Sequence, residues 1–236
     1  MAGTSLSNND SSVLSALFDP EASLSKFARI EDSIPTGMSL DELRHLQDCE
    51  RDAIRPINGE NPSTVDIEQS ISRLTKIIDA NSQYASALAN RAQARRMLFR
   101  DENLRSHPDS VRQIFADLSE AIRLSTPKDS ADTVSSSQAN VLASAHTHRG
   151  YLLLLASKDE INRQMLAYTV GVAELSLDEL VEAASREFGL GGRYGNDSAK
   201  QIAVKTNPYA KLCGSIVKEA LTKEISDYYQ LQIQTV

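Results

Sequence analysis

The stretch Asn90-Arg91-Ala92-Gln93-Ala94-Arg95-Arg96 constrains this chain more than any other, because it places a small residue, Ala92, in the middle of a helical pattern that follows another. Two antiparallel helices pack closely only where each offers a small residue at the crossing, and such pairs recur with a period of about 34 residues. Counting back, Leu74 and Ile77 stand where the preceding second helix places its large and its small residue, with 15 positions from Ile77 to Ala92. Stacked helix pairs of this kind bind other proteins far more readily than they catalyse.

Three such pairs can be laid out along the chain. Ser39 with Glu42 makes a capping box for a first leading helix through Leu40, Leu43, Leu46, Ala53 and Ile54, ended by Pro56. Gly59 and Pro62 make the turn, and Ile67, Ile71, Leu74, Ile77 and Ile78 return. The second pair runs from near Ala85 to Met97 and Leu98, then from Val111 to Leu124. Ala92 and Ala121 lie 29 residues apart where an unbroken repeat has about 19, so the turn around 101–110 carries an insert. The third leading helix spans Val141 to Ala156 with Gly150 in the small position, again 29 residues after Ala121. Residues 125–138, rich in Ser, Thr and Asp, are expected to form a flexible insert, and 160–177 an extension or an extra helix. Ser176 with Glu179 starts another helix through Phe188, and Gly189 to Gly195 is expected to end it in a turn.

The expected architecture is an all-α tetratricopeptide-repeat solenoid, a right-handed superhelix of about three repeats. Residues 1–38 form an N-terminal tail, disordered at its start, with a short amphipathic segment around Leu14, Leu17 and Phe18 and a loop over 21–38. Residues 39–205 hold the repeats. Residues 206–236 form a closing helix, for which Asn207-Pro208 is a strong start.

Composition narrows the function. The net charge is −7 and no apolar run approaches the roughly 20 residues of a membrane span, so neither nucleic acid nor membrane is an expected partner. The N-terminus lacks a basic start followed by an apolar core. With two cysteines, Cys49 and Cys213, far apart, the expected setting is a reducing, cytoplasmic one, with the nucleus as a second compartment.

No catalytic, metal or cofactor site is expected. Gly189 to Gly195 lacks the last glycine of a dinucleotide loop, because position 194 is Tyr, and no strand precedes it. His146 and His148 are two apart and point in different directions on a helix. The candidate site is a concave groove: Asn90 two residues before Ala92, with Gln93 and Arg96 on the same face, and Ser144 and His148 from the third leading helix. Their donors suit an extended acidic segment, such as an acidic C-terminal peptide, bound more tightly as His148 gains charge near pH 6.5.

Three segments in order, Val13-Leu-Ser-Ala-Leu-Phe-Asp-Pro20, Ala85 to Arg96, and Asn207-Pro-Tyr-Ala-Lys-Leu-Cys213, resemble the tetratricopeptide repeat protein 36 family. The resemblance covers about residues 12–20 and 65–220. It departs from the family in the three inserts and at Arg51, near an expected small residue. It implies a non-catalytic adaptor that binds a seventy-kilodalton heat-shock chaperone, with a looser link to tyrosine metabolism. The rival expectation is a structural subunit of a larger complex that docks through Leu14, Leu17 and Phe18 or through the inserts.

Overall fold

Serine residues decide where four of the helices begin. Ser39, Ser63, Ser135 and Ser176 each accept from the backbone N–H three positions on, while Glu42, Asp66, Gln138 and Glu179 reach back to the serine N–H. Each box satisfies two donors that a helix start leaves orphaned. The computed structural model describes residues 28–34, 38–128, 133–170 and 175–207, together with Glu219 and 221–223.

The elements in chain order are β1 (Ile30–Glu31), α1 (Leu40–Ile54), α2 (Thr64–Ala80), α3 (Ala85–Arg96), α4 (Pro108–Ser125), β2 (Val134–Ser135), α5 (Ser136–Ala156), α6 (Glu160–Val170), α7 (Leu177–Arg193) and α8 (Asp197–Thr206). Short 3-10 turns at Arg55–Ile57 and Asp101–Ser106 follow α1 and precede α4. The fold is all-α. The two short strands form one parallel pair, Ile30 opposite Val134 and Glu31 opposite Ser135.

Helices pack on their chain neighbours in the order α1, α2, α3, α4, α5, and α3 also touches α5. The helix α6 leaves this sequence and lies against α4, so that α5 pairs with α7 and α7 with α8. Alanine explains how α3 serves two cores at once. Ala87 and Ala94 join Leu43, Leu46, Ile67 and Leu74 on one side, while Leu88, Ala89 and Ala92 join Ile114, Leu118 and Leu152 on the other. A helix buried on two sides cannot be amphipathic, and small side chains let both neighbours approach.

Ala92 and Gly150 are both buried. A Cβ on Gly150 would stand 3.2 Å from the Ala184 carbonyl and 3.3 Å from Phe188 Cδ1, so its absence sets the α5–α7 distance. On α7 itself, Gly191 lets α5 and α8 approach, and Gly192 lets α8 approach. A Cβ on Gly191 would lie 2.5 Å from Thr147 Oγ1, and one on Gly192 would lie 2.9 Å from Lys200 Cβ.

Four local expectations change. Residues 133–137 are ordered, not flexible, because Val134 and Ser135 are buried against β1 and Ser135 caps α5, which starts five residues before Val141. The loop expected over 21–38 contains β1. The glycine-rich stretch is helical through Arg193, and the turn falls to Gly195 at φ +104°, a conformation that favours glycine. The helix α8 was not foreseen. Its N-cap is Asn196, which accepts from Ala199 N, and Asn207 ends it as the C-cap. The expected helix from Pro208 onward lies mostly outside the described residues, as do Leu14, Leu17 and Phe18.

Candidate functional groove

One face of the array is a groove crossed by α1, α3 and α5 and closed at one end by the start of α8. It consists of two clefts that share Asn140 and Ser144. The smaller, of about 430 Å³, is lined by Gln47 and Glu50 of α1, Tyr84 and Asn90 beside and on α3, and Ser137 and Val141 of α5. The larger, of about 680 Å³, is lined by Gln93 and Arg96 of α3, Thr147, His148 and Tyr151 of α5, and Tyr194 to Ser198 before and on α8.

The residues chosen from sequence meet here. Gln93, Arg96, Ser144 and His148 line the larger cleft, and Asn90 and Ser144 the smaller. Their chemistry is not that of a positive groove. Asn90 Nδ2 already donates to Glu50 Oε1 at 2.8 Å. Arg96 donates to the Phe99 carbonyl at 2.7 Å, pairs with Asp101 and lies over the Phe99 ring at 4.9 Å. Burial lowers its pKa. Tyr151 donates to the same Asp101 carboxylate. This arginine fastens the 3-10 turn to α3 and α5 instead of offering a free charge.

His148 also departs from expectation. Its Nε2 is buried without a hydrogen-bond partner. Burial, reinforced by the nearby Arg96 charge, pushes its pKa down to about 4. The ring therefore stays neutral at pH 6.5, and the expected charge gain there does not occur. The groove instead presents neutral donors and acceptors, Gln93, Asn140 and Ser144 among them.

Three carboxylates are withdrawn from solvent, Asp117 and Glu50 buried and Glu187 partly buried. Asp117 takes a two-pronged bond from Arg91, Nε at 3.0 Å and Nη2 at 2.7 Å, and a further bond from Arg95. Glu187 accepts from Arg149 at 2.6 Å and pairs with His146 Nδ1 at 2.9 Å. Burial raises the Glu187 carboxyl, but the bonds from His146 and Arg149 and their charges outweigh it and hold it below the usual range. Glu50 is 8% exposed and accepts from the Tyr84 hydroxyl at 2.7 Å and from Asn90. Burial, with the Glu50 charge adding to it, pushes the Tyr84 hydroxyl pKa up, so Tyr84 remains a donor.

Elsewhere, His45 Nε2 lies 3.7 Å from Cys49 Sγ on α1, and His107 stacks on Phe99 at 4.9 Å. Among the described residues no three His, Cys, Asp or Glu side chains gather to hold a metal ion, and no helix is long and apolar enough to cross a membrane. Sequence reasoning missed Asn140, Tyr84 and Glu50. Asn140 could have been found one turn before Ser144, on the same face. Glu50 could not, because its partners stand 34 and 40 residues away.

No family model matches the chain, and no solved structure does. It is 41% identical over 240 residues to the L-tyrosine degradation gene cluster protein hmgX of Aspergillus fumigatus, covering 94% of both chains. It is 26% identical over 222 residues to tetratricopeptide repeat protein 36 of Xenopus tropicalis, covering 91% of this chain and 87% of that one. The same identity holds against tetratricopeptide repeat protein 36 of Danio rerio, at 92% and 94% coverage.

Proposed function

We propose a function from one premise: the chain belongs to the family of the L-tyrosine degradation gene cluster protein hmgX. It is a non-catalytic adaptor that serves L-tyrosine degradation by holding another protein of that route in the groove across α1, α3 and α5. The pairs α1–α2, α3–α4 and α5–α7 are read as three tetratricopeptide repeats in a right-handed solenoid, with Ala92 and Gly150 at the close approaches. The observation that carries the adaptor reading is the groove itself, where Gln93, Asn140 and Ser144 stand as neutral donors and acceptors along leading helices. Such groups pair with the backbone of an extended segment.

The partner is a protein of the degradation route in preference to a heat-shock chaperone. An acidic chaperone tail needs free cations, and here Arg96 is paired with Asp101 while His148 is neutral.

A second reading, as a structural subunit, draws on α6. There Tyr168 is 87% exposed and Ile161 58% exposed on the segment inserted between α5 and α7. Docking through α6 would be lost on Tyr168→Ser with the groove intact.

The test is a deletion strain together with capture of the tagged full-length chain from cells growing on L-tyrosine. The adaptor reading requires that growth fails when L-tyrosine is the carbon source and survives on glucose, and that an enzyme of the route is captured. Unchanged growth with no such enzyme captured overturns it.

A further inference from the structure

Glu50 differs from Asp117 and Glu187 in a way that bears on what the groove accepts. Asp117 and Glu187 are each met by cationic side chains, Arg91 and Arg95 in one case and Arg149 in the other. Glu50 is buried, as Asp117 is, while Glu187 is partly buried, yet the bonds to Glu50 come from a phenol and a carboxamide, and it makes no ion pair among the described residues. A desolvated carboxylate held by neutral donors alone has no cation to offset its burial and keeps an unspent capacity to accept, because each oxygen has a second lone pair. It is also not sealed off. Its side chain lines the smaller cleft beside Gln47, Asn90 and Asn140.

We infer that Glu50 is the anchor for a lysine or arginine side chain of the partner protein, borne on an extended segment that runs along the groove. This rests on the adaptor reading and names the partner's chemistry. Charge complementarity selects the occupant. The smaller cleft is lined by one buried anion and by uncharged groups, and the larger one adds the exposed Asp197, while its Arg96 is paired with Asp101 and its His148 is neutral. An acidic segment would set its carboxylates against Glu50 without a cation to compensate, whereas a cation entering beside Glu50 completes the pairing that Asp117 and Glu187 already have. Tyr84 and Asn90 hold the carboxylate in place before the partner arrives, which lowers the ordering cost of binding. Asn140 and Ser144, shared by both clefts, give the flanking backbone its hydrogen bonds.

The experiment selects a phage-displayed library of short peptides on the immobilised full-length chain and measures each enriched peptide against three proteins. These are the parent, Glu50→Gln, which keeps shape and hydrogen bonding but removes the charge, and Asn140→Lys, which places a competing cation at an exposed position of the same cleft. Thermal melts confirm that each protein is folded. Enriched peptides should carry a Lys or Arg, and replacing it with norleucine should weaken binding about tenfold or more on the parent but hardly at all on Glu50→Gln. Asn140→Lys should weaken the same peptides even if Glu50→Gln folds poorly. Enrichment of acidic or uncharged peptides, affinity that survives both substitutions, or no enrichment at all overturns the inference. Capture of the route partner by Glu50→Gln as efficiently as by the parent removes the cationic anchor and leaves the adaptor reading standing. Capture of no partner by a parent that binds lysine peptides through Glu50 does the reverse.

Discussion

The Asn90 side-chain amide donates to Glu50 Oε1 at 2.8 Å, joining α3 to a residue 40 positions earlier on α1. Replacing Asn90 with Ala leaves the buried carboxylate with Tyr84 as its one remaining donor among the described residues. Hydrogen bonds to charged groups contribute about 1.5–3 kcal/mol, so Asn90→Ala should lose that much stability. Urea denaturation measures it. A midpoint equal to the parent's would show that the bond contributes nothing.

Asp117 is the tightest electrostatic junction between α3 and α4, because it faces both Arg91 and Arg95 with 6% of its side chain exposed. Removing one member of a buried pair strands the other charges, at about 3–5 kcal/mol. Asp117→Ala should therefore cost more than Asp48→Ala, whose pair with Arg51 is exposed and contributes under about 1 kcal/mol. Comparing the two by denaturation checks the ordering.

Ala92→Leu and Gly150→Leu should each overpack a close approach, at about 1–3 kcal/mol or more. Gly150 is the more sensitive of the two, since the Ala184 carbonyl stands 3.2 Å from its absent Cβ and backbone cannot swing aside as a side chain can. Melting temperatures of the two variants test both the direction and the ranking.

His148 makes stability pH-dependent. Its folded pKa is about 4 against about 6.5 in the unfolded chain, so between those values the unfolded state binds a proton that the folded state does not. Stability from this group is complete above pH 6.5 and falls as pH drops toward 4, by about 3 kcal/mol at most. His148→Gln should flatten that window relative to the parent. Denaturation of both proteins at pH 7.5 and 4.5 gives the difference, and equal slopes would exclude His148 as the source.

Local signals in this chain were legible and distant ones were not. Ser39 with Glu42 and Ser176 with Glu179 announce two helix starts because a capping box spans four residues. Ser135 with Gln138 is the same device, but it was hidden inside a Ser/Thr-rich stretch that composition marks as a flexible insert. The helix α8 escaped because its ten residues follow a glycine run, and because the stronger Asn-Pro signal comes after it. In the groove, helical spacing groups Gln93, Arg96, Ser144 and His148, which line one cleft. Their charge states were beyond it: Asp101 neutralises Arg96 through a turn, and burial between helices neutralises His148.

The segment before α1 ties the array together across the chain. Ala28 N donates to the Arg193 carbonyl at 3.0 Å, Ile30 pairs with Val134, and Ser136 Oγ donates to Asp32 at 2.6 Å. Among the described residues, the other large contacts join elements at most two helices apart in the chain and can form as synthesis proceeds. This strap must wait until the end of α7 has left the ribosome, so the first described residues to be made are among the last to be fixed. During that interval Val134 and Leu142 lack the Ala28 cover of the finished fold, and the nascent chain is open at that face to whatever assists it.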